Sequence, residues 1–75
     1  MKKIKISDLW ERVANGEPVY LNDVCDTDAA YMIMGEFTMV KYPGETPFRI
    51  LTSETSAQNA ISCGQEITED EFNKF

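Results

Sequence analysis

Residues 31–42, with the sequence YMIMGEFTMVKY, carry large apolar side chains at both odd and even positions. Because side chains along a β-strand point alternately to its two sides, a strand in this segment would be apolar on both faces. The odd positions hold Tyr31, Ile33, Phe37 and Met39, and the even positions hold Met32, Met34, Val40 and Tyr42. A chain of 75 residues has little length left to cover both faces of a sheet, so we expect part of this surface to need a partner.

The length predicts a single domain that spans residues 1–75. A hydrophobic fraction of 43% with 27% charged residues is typical of a globular chain. No apolar run is long enough to cross a bilayer, and the start MKKIKI lacks the apolar core and cleavage site of a signal peptide. We expect a cytoplasmic location in a bacterial host cell, with no membrane partner. A domain of this size is marginally stable alone, which favours a homo-oligomer.

The net charge of −6 is unevenly distributed along the chain. Three lysines lie within the first five residues, and from Ile6 onward four basic residues stand against all thirteen acidic ones. Such a surface repels the phosphates of nucleic acids, so we expect no direct nucleic-acid partner. As an alternative, carboxylates can imitate the phosphates of DNA, but those of this chain are scattered along the sequence.

Capping residues indicate where helices begin and end. Ser7 or Asp8 can cap a first helix, and Gly16 can end it in the left-handed conformation. Thr68 and Glu71 have the spacing of a capping box, in which each residue binds the backbone of the other. The predicted helices are residues 8–15, 54–63 and 69–74, with a strand at 60–63 as the alternative within the second.

The remaining apolar segments alternate in the manner of strands. Gly35 and Glu36 interrupt the longest of them, either as a bulge or as a tight hairpin turn. The sequence PGETP at residues 43–47 predicts the next turn. The sequence therefore predicts an α+β fold: an antiparallel sheet of three to four strands with the first helix packed on one face and a short C-terminal helix. The predicted strands are residues 19–21, 31–42 and 48–52, with residues 3–6 as a possible fourth.

The residue types exclude most catalytic chemistry. The chain has no histidine, which removes Ser–His and Cys–His nucleophiles and histidine-bound zinc, and it has no glycine-rich phosphate loop. Cys25 and Cys63 are expected to be reduced, with a disulfide as the alternative. Asp23, Asp26 and Asp28 share one loop but miss the spacing of a calcium-binding loop, which favours a solvated turn. We predict no enzymatic activity, no cofactor and no metal.

Several apolar residues could lie either in the core or at an interface. Trp10 is expected in the core on the apolar face of the first helix, with an anchor in a partner's pocket as the alternative. Phe37 and Met39 are expected in the core. Methionine also lines adaptable binding surfaces, so the other two strand methionines are assigned to either role. The predicted binding surface consists of Met32, Met34, Val40 and Tyr42, flanked by Asp26, Asp28 and Glu36.

Two segments have a further pattern. Residues 3–21, KIKISDLWERVANGEPVYL, combine a lysine-led start, a short Asp-Leu helix and a Gly-Glu stop, and residues 64–72 read GQEITEDEF. Both segments resemble small accessory proteins encoded by phages and prophages of Gram-positive bacteria. The resemblance implies a non-enzymatic protein that binds and disables a host protein, as anti-CRISPR and other anti-defence inhibitors do. The polar residues 52–65 suggest an alternative function, in which an oligomer sequesters a nucleotide messenger in a pocket.

Overall fold

The computed structural model describes residues 3–23 and 28–75, which form three helices and five short strands. In chain order these elements are α1 (Ile6–Ala14), β1 (Val19–Asn22), β2 (Ala30–Ile33), β3 (Phe37–Lys41), β4 (Phe48–Leu51), α2 (Thr55–Cys63), β5 (Gln65–Glu66) and α3 (Glu69–Asn73). The strands form one antiparallel sheet in the order β4-β3-β2-β1-β5. The predicted α+β fold is confirmed, and the sheet has one strand more than the three to four expected.

The segment before α1 differs from the prediction. No strand forms at residues 3–6, and α1 begins two residues earlier than expected. Lys5 precedes the helix in an extended conformation, and its carbonyl accepts a hydrogen bond from the Leu9 amide at 3.0 Å. The predicted caps Ser7 and Asp8 therefore lie inside the first turn. The physical reason is burial: this start places the Leu9 side chain wholly within the core, which stabilises the helix more than a side-chain cap would.

The hairpin between β2 and β3 sets which residues share a face. Gly35, at φ 126°, and Glu36 form a two-residue turn, which confirms the hairpin alternative. The turn pairs Ile33 with Thr38, so each odd residue of β2 lies beside an even residue of β3. Because cross-strand partners point to the same side of a sheet, the prediction that odd positions share one face along residues 31–42 is wrong.

The main core lies on the face of the sheet that α1 and α2 cover. Leu9 of α1 and Ala60 and Ile61 of α2 pack in one cluster with the strand residues of this face. Burying these side chains supplies most of the hydrophobic stabilisation of a small domain. The buried strand residues of this face are Val19, Leu21, Tyr31, Ile33, Thr38 and Val40.

A second, smaller cluster lies on the opposite face, under α3. Phe72 packs there in the same cluster as Ile67, and its ring centroid lies 5.4 Å from that of Tyr20. The predicted capping box is confirmed: the Glu71 amide donates to the Thr68 hydroxyl at 3.2 Å, and the Thr68 amide donates to the Glu71 carboxylate at 2.9 Å. These bonds begin α3 where its one buried residue reaches β1 and β2, so α3 packs mainly on that part of the face.

The helix predicted for residues 54–63 is confirmed as α2. Cys63, its last residue, is disulfide-bonded, so the expectation of a reduced thiol is wrong for this residue. The other cysteine, Cys25, lies outside the described residues. Disulfides are rare in cytosolic proteins, which weighs against the expected cytoplasmic location; that location stays a prediction.

Candidate protein-binding surface

Within the described residues, the part of the second sheet face on β3 and β4 is only partly covered, since Met39 packs against the α3 cluster and Leu51 stays exposed. The register pairs Phe37 with Leu51 and Met39 with Arg49, so these four side chains point to the same side of the sheet as the α3 cluster. Helix α3 packs on β1 and β2 rather than on β4. Leu51 is 45% exposed, Arg49 is exposed, and Phe37 and Met39 are half-buried. We call these four residues the β3–β4 face.

Arg49 lies across this surface rather than extending into solvent. Its guanidinium carbon is 4.5 Å from the centroid of the Phe37 ring. A guanidinium over an aromatic face is attracted by the ring quadrupole and keeps its N–H donors available. In the part of the chain that the structure describes, both salt bridges are made by Arg12, to Glu66 at 2.6 Å and to Glu17 at 3.8 Å. The charge of Arg49 has no carboxylate partner among those residues.

Two further cations lie on the same side of the sheet. Lys41 pairs with Ala30, a member of the α3 cluster, so its side chain points to the side of the β3–β4 face. Lys74 follows the last turn of α3, the helix that packs on this side. With Arg49, these are all the basic residues that follow Arg12 in the sequence. Three of the seven basic residues of the chain thus lie on this side of the sheet, where the first turn of α3 also carries Glu69, Asp70 and Glu71.

The outer edge of β4 is closed to a further strand. The Thr52 amide donates to the Glu36 carbonyl at 2.8 Å, so in the alternating ladder the backbone groups of Arg49 and Leu51 point away from β3. The Leu51 amide donates to the Glu54 carboxylate at 3.1 Å, and the Leu51 carbonyl accepts from the Glu54 amide at 3.0 Å. Pro47, just before β4, has no N–H to donate. Among the residues of β4 whose backbone points outward, only Arg49 has both its N–H and its carbonyl group available to a further strand. A partner must therefore dock on the side chains of β4.

An open groove of about 610 Å³ lies at the opposite edge of the sheet, where the end of α1 meets β5 and the start of α3. Arg12, Tyr20, Glu66, Glu69 and Glu71 line it. Burial raises the pKa of Tyr20, and the neighbouring Glu69 carboxylate raises it further, while the hydrogen bonds from Thr68 lower the pKa of Glu71. Three carboxylates and one already paired guanidinium make this groove unfavourable for anions.

Three of the predicted surface residues lie on two different faces. Val40 is 2% exposed in the main core, and Tyr42 packs against that core with its ring stacked on Phe48 at 5.9 Å between centroids. Met32 lies on the opposite face and packs against the α3 cluster. The structure therefore does not bring these residues to one surface, because the hairpin register places even positions of β2 and of β3 on opposite sides.

The remaining predicted residues have mixed positions. Met34 is 45% exposed beside the hairpin turn, and Glu36 within that turn is exposed. Asp28 is exposed at the end of the loop before β2, and Asp26 lies outside the described residues. Trp10 is 38% exposed on α1, so its assignment to the core is wrong. The exposed residues of this group lie at the hairpin turn, at the end of the loop before β2 and on α1. They do not form one continuous surface.

The β3–β4 face is not among the surfaces predicted from the sequence. The sequence pattern assigns Phe37 and Met39 to the core and indicates no surface role for Arg49 and Leu51. A signal for them exists in the sequence: a two-residue turn at Gly35 fixes the pairing of β2 with β3 and reverses the odd–even assignment. That register places Phe37 and Met39 on the opposite face of the sheet from the buried odd-numbered residues of β2.

The described residues contain no group of three or more cysteine, aspartate or glutamate side chains that could hold a metal ion. Nor does any helix of residues 3–23 and 28–75 have the length and apolar character needed to cross a membrane. Comparison with protein-family models, with curated proteins and with solved structures gave no match. The groove beside β5 is not lined by residues 52–65, so the small-molecule alternative stays a prediction.

Proposed function

We propose that this chain is a non-enzymatic protein-binding module that acts by occluding a surface of its partner. The observation that carries the proposal is the β3–β4 face: an apolar part of the sheet that the chain covers only in part, with Met39 against the α3 cluster and Leu51 45% exposed. Exposed apolar surface rimmed by polar residues is typical of interaction sites, because leaving it in water costs free energy that a partner recovers.

The class of partner follows from the sequence resemblance. Small phage and prophage proteins of this pattern bind and disable host proteins, so we propose a host protein as the target. Such a role needs no catalytic group; it needs a rigid surface that competes with the target's normal partner. The β3–β4 face lies on the two strands of a hairpin, and β3 is also paired with β2 on its other side, which supplies that rigidity.

Site-specific photo-crosslinking tests the proposal. One variant carries p-benzoylphenylalanine in place of Leu51, and a control carries it in place of Glu11, which is exposed on α1. Each is incubated with a lysate of a Gram-positive bacterium and irradiated. We expect a discrete adduct from position 51 that an excess of the unlabelled chain removes, and no such adduct from position 11. The same adducts from both positions, or none from position 51, would refute the proposal.

A further inference from the structure

We propose that the β3–β4 face binds an acidic, apolar segment of a partner protein, with apolar side chains against Phe37, Met39 and Leu51 and a carboxylate on Arg49. This inference rests on the proposed protein-binding function and adds the chemistry of the partner. It is carried by the exposed apolar side chain of Leu51 beside the guanidinium of Arg49, which lies on the Phe37 ring and has no carboxylate partner among the described residues.

The first step of the argument is charge. Arg49 lies on the face itself, Lys41 lies on the same side at the end of β3, and Lys74 follows α3. The described carboxylates nearest to the opposite groove, Glu66, Glu69 and Glu71, give that part of the surface the opposite sign. An acidic segment is therefore attracted to the β3–β4 face and repelled from the groove, which orients it during encounter.

The second step is the preorganisation of Arg49. The Phe37 ring holds the guanidinium at 4.5 Å, so part of the entropy of ordering this long side chain is lost before a ligand arrives. The planar group can then donate two parallel hydrogen bonds to one carboxylate. Apolar side chains on either side of that carboxylate would reach Met39 and Leu51, which flank Arg49 across and along the strands.

The third step concerns how the segment lies. Because Glu54 occupies the outward backbone groups of Leu51 and Pro47 lacks an N–H, the segment cannot add to the sheet as a regular strand. It must lie over the face and bind through side chains. This favours an amphipathic segment with its apolar side chains on one surface and its acids at the border.

A second copy of this chain is a poorer occupant. In a two-fold symmetric dimer through this surface, each cation of one copy faces the same set of cations on the other. Each copy also carries a net charge of −6, which opposes approach at low ionic strength. Self-association would therefore become stronger as salt is added, whereas the contact between Arg49 and a carboxylate of an acidic segment would become weaker.

The test is a selection of displayed random dodecapeptides on the immobilised full chain at low salt. We expect the enriched peptides to be acidic and rich in large apolar residues, and their affinity to fall as salt is added. Arg49→Glu should weaken them about tenfold or more, since it removes a charge-assisted contact and adds repulsion. Lys3→Glu makes the same change of charge outside the face and should leave their affinity within about twofold.

Several outcomes would overturn the inference: enrichment of neutral or basic peptides, no enrichment, or peptides that bind the Arg49→Glu variant as tightly as the original chain. A dimer that strengthens with salt and disappears in Leu51→Asp would assign the face to a second copy instead. Arg49 is exposed, so its variant should fold, and an unchanged unfolding midpoint verifies this. If position 51 still crosslinks to a host protein while the selection fails, only the acidic-segment inference is lost.

Discussion

Leu51 and Glu54 close the edge of the sheet by two reciprocal hydrogen bonds. The Leu51 amide donates to the Glu54 carboxylate at 3.1 Å, and the Glu54 amide donates to the Leu51 carbonyl at 3.0 Å. Both backbone groups of Leu51 point outward, where they would otherwise be available to a strand of another molecule. The side chain of Glu54, three residues after the strand, thus closes the backbone edge of β4. The side chains of β4 stay open to a partner.

Removing this closure should promote association through the edge of the sheet. In Glu54→Ala the Leu51 amide loses its carboxylate acceptor and becomes available for pairing with a second β4. We expect sedimentation velocity to show concentration-dependent association in this variant above that of the original chain. Glu45→Ala removes the same charge from the preceding exposed turn and should not add to association. Equal sedimentation of both variants would show that the hydrogen bonds do not protect the edge.

Gly64 should be intolerant of any side chain. A Cβ at this position would lie 2.4 Å from the carbonyl oxygen of Ala60 and 3.0 Å from that of Asn22. Both neighbours are backbone atoms, and α2 and β1 would have to separate to accommodate a methyl group. We expect Gly64→Ala to lower the free energy of unfolding by about 1–3 kcal/mol in urea denaturation. Ser62→Ala, at an exposed position of α2, is the control and should have little effect; an unchanged midpoint for Gly64→Ala would contradict the expectation.

Local signals in the sequence predicted most of the secondary structure. The capping box at Thr68 and Glu71 and the turn glycine Gly16 act through neighbouring residues, so they hold whatever the tertiary context. Ile6 shows where such signals fail. Its place in α1, not in a strand, depends on the burial of Leu9 against residues far along the chain, which no local pattern contains.

The prediction of a binding surface depended on the register of β2 and β3. One error in that register assigned residues of β3 to the wrong face of the sheet. Val40 was assigned to a partner surface because the odd–even pattern was continued through the turn at Gly35. Pairing across that turn places Val40 in the main core and Met39 on the opposite face, half-buried against the α3 cluster. Strand β5 was missed for a different reason: two residues carry no periodic signal, and Gln65 joins the sheet only because it follows Gly64 alongside β1.

The disulfide of Cys63 should contribute strongly to stability. The chain contains one other cysteine, Cys25, so an intrachain bond would close a loop on the order of 40 residues. Constraining the unfolded chain in this way is worth about 4 kcal/mol in the chain-entropy model. We expect a reducing agent to lower the urea midpoint of the original chain substantially.

Cys63→Ser is the matched control, because it should unfold at the lower midpoint with or without reductant. Mass spectrometry after alkylation checks the same point, since both thiols should react only after reduction. If the original chain shows the same midpoint with and without reductant, the bond does not form in solution.

Glu71 should make stability depend on pH in the acidic range. Its hydrogen bonds with the backbone and side chain of Thr68 hold its pKa below the usual value of a glutamate. The stabilisation is therefore complete above the unfolded-state pKa and is lost as the pH falls through the lower folded-state pKa. We expect Glu71→Gln to reduce this acid-induced loss, measured as urea midpoints on both sides of that range. Asp70→Asn, in the same turn, should retain it; the same pH profile in Glu71→Gln as in the original chain would disprove the assignment.

Val40 and Leu51 distinguish the core from the proposed surface. Val40→Asp places a carboxylate where 2% of the side chain is exposed, and an unpaired buried charge costs several kcal/mol, comparable with the whole stability of so small a domain. Leu51→Asp places the same group where 45% is exposed, and surface substitutions usually change stability by less than about 0.5 kcal/mol. We expect circular dichroism to show an unfolded Val40→Asp chain and a folded Leu51→Asp chain that no longer binds the selected peptides and, added in excess, no longer removes the adduct formed from position 51. A folded Val40→Asp chain that loses binding would instead return this residue to the surface.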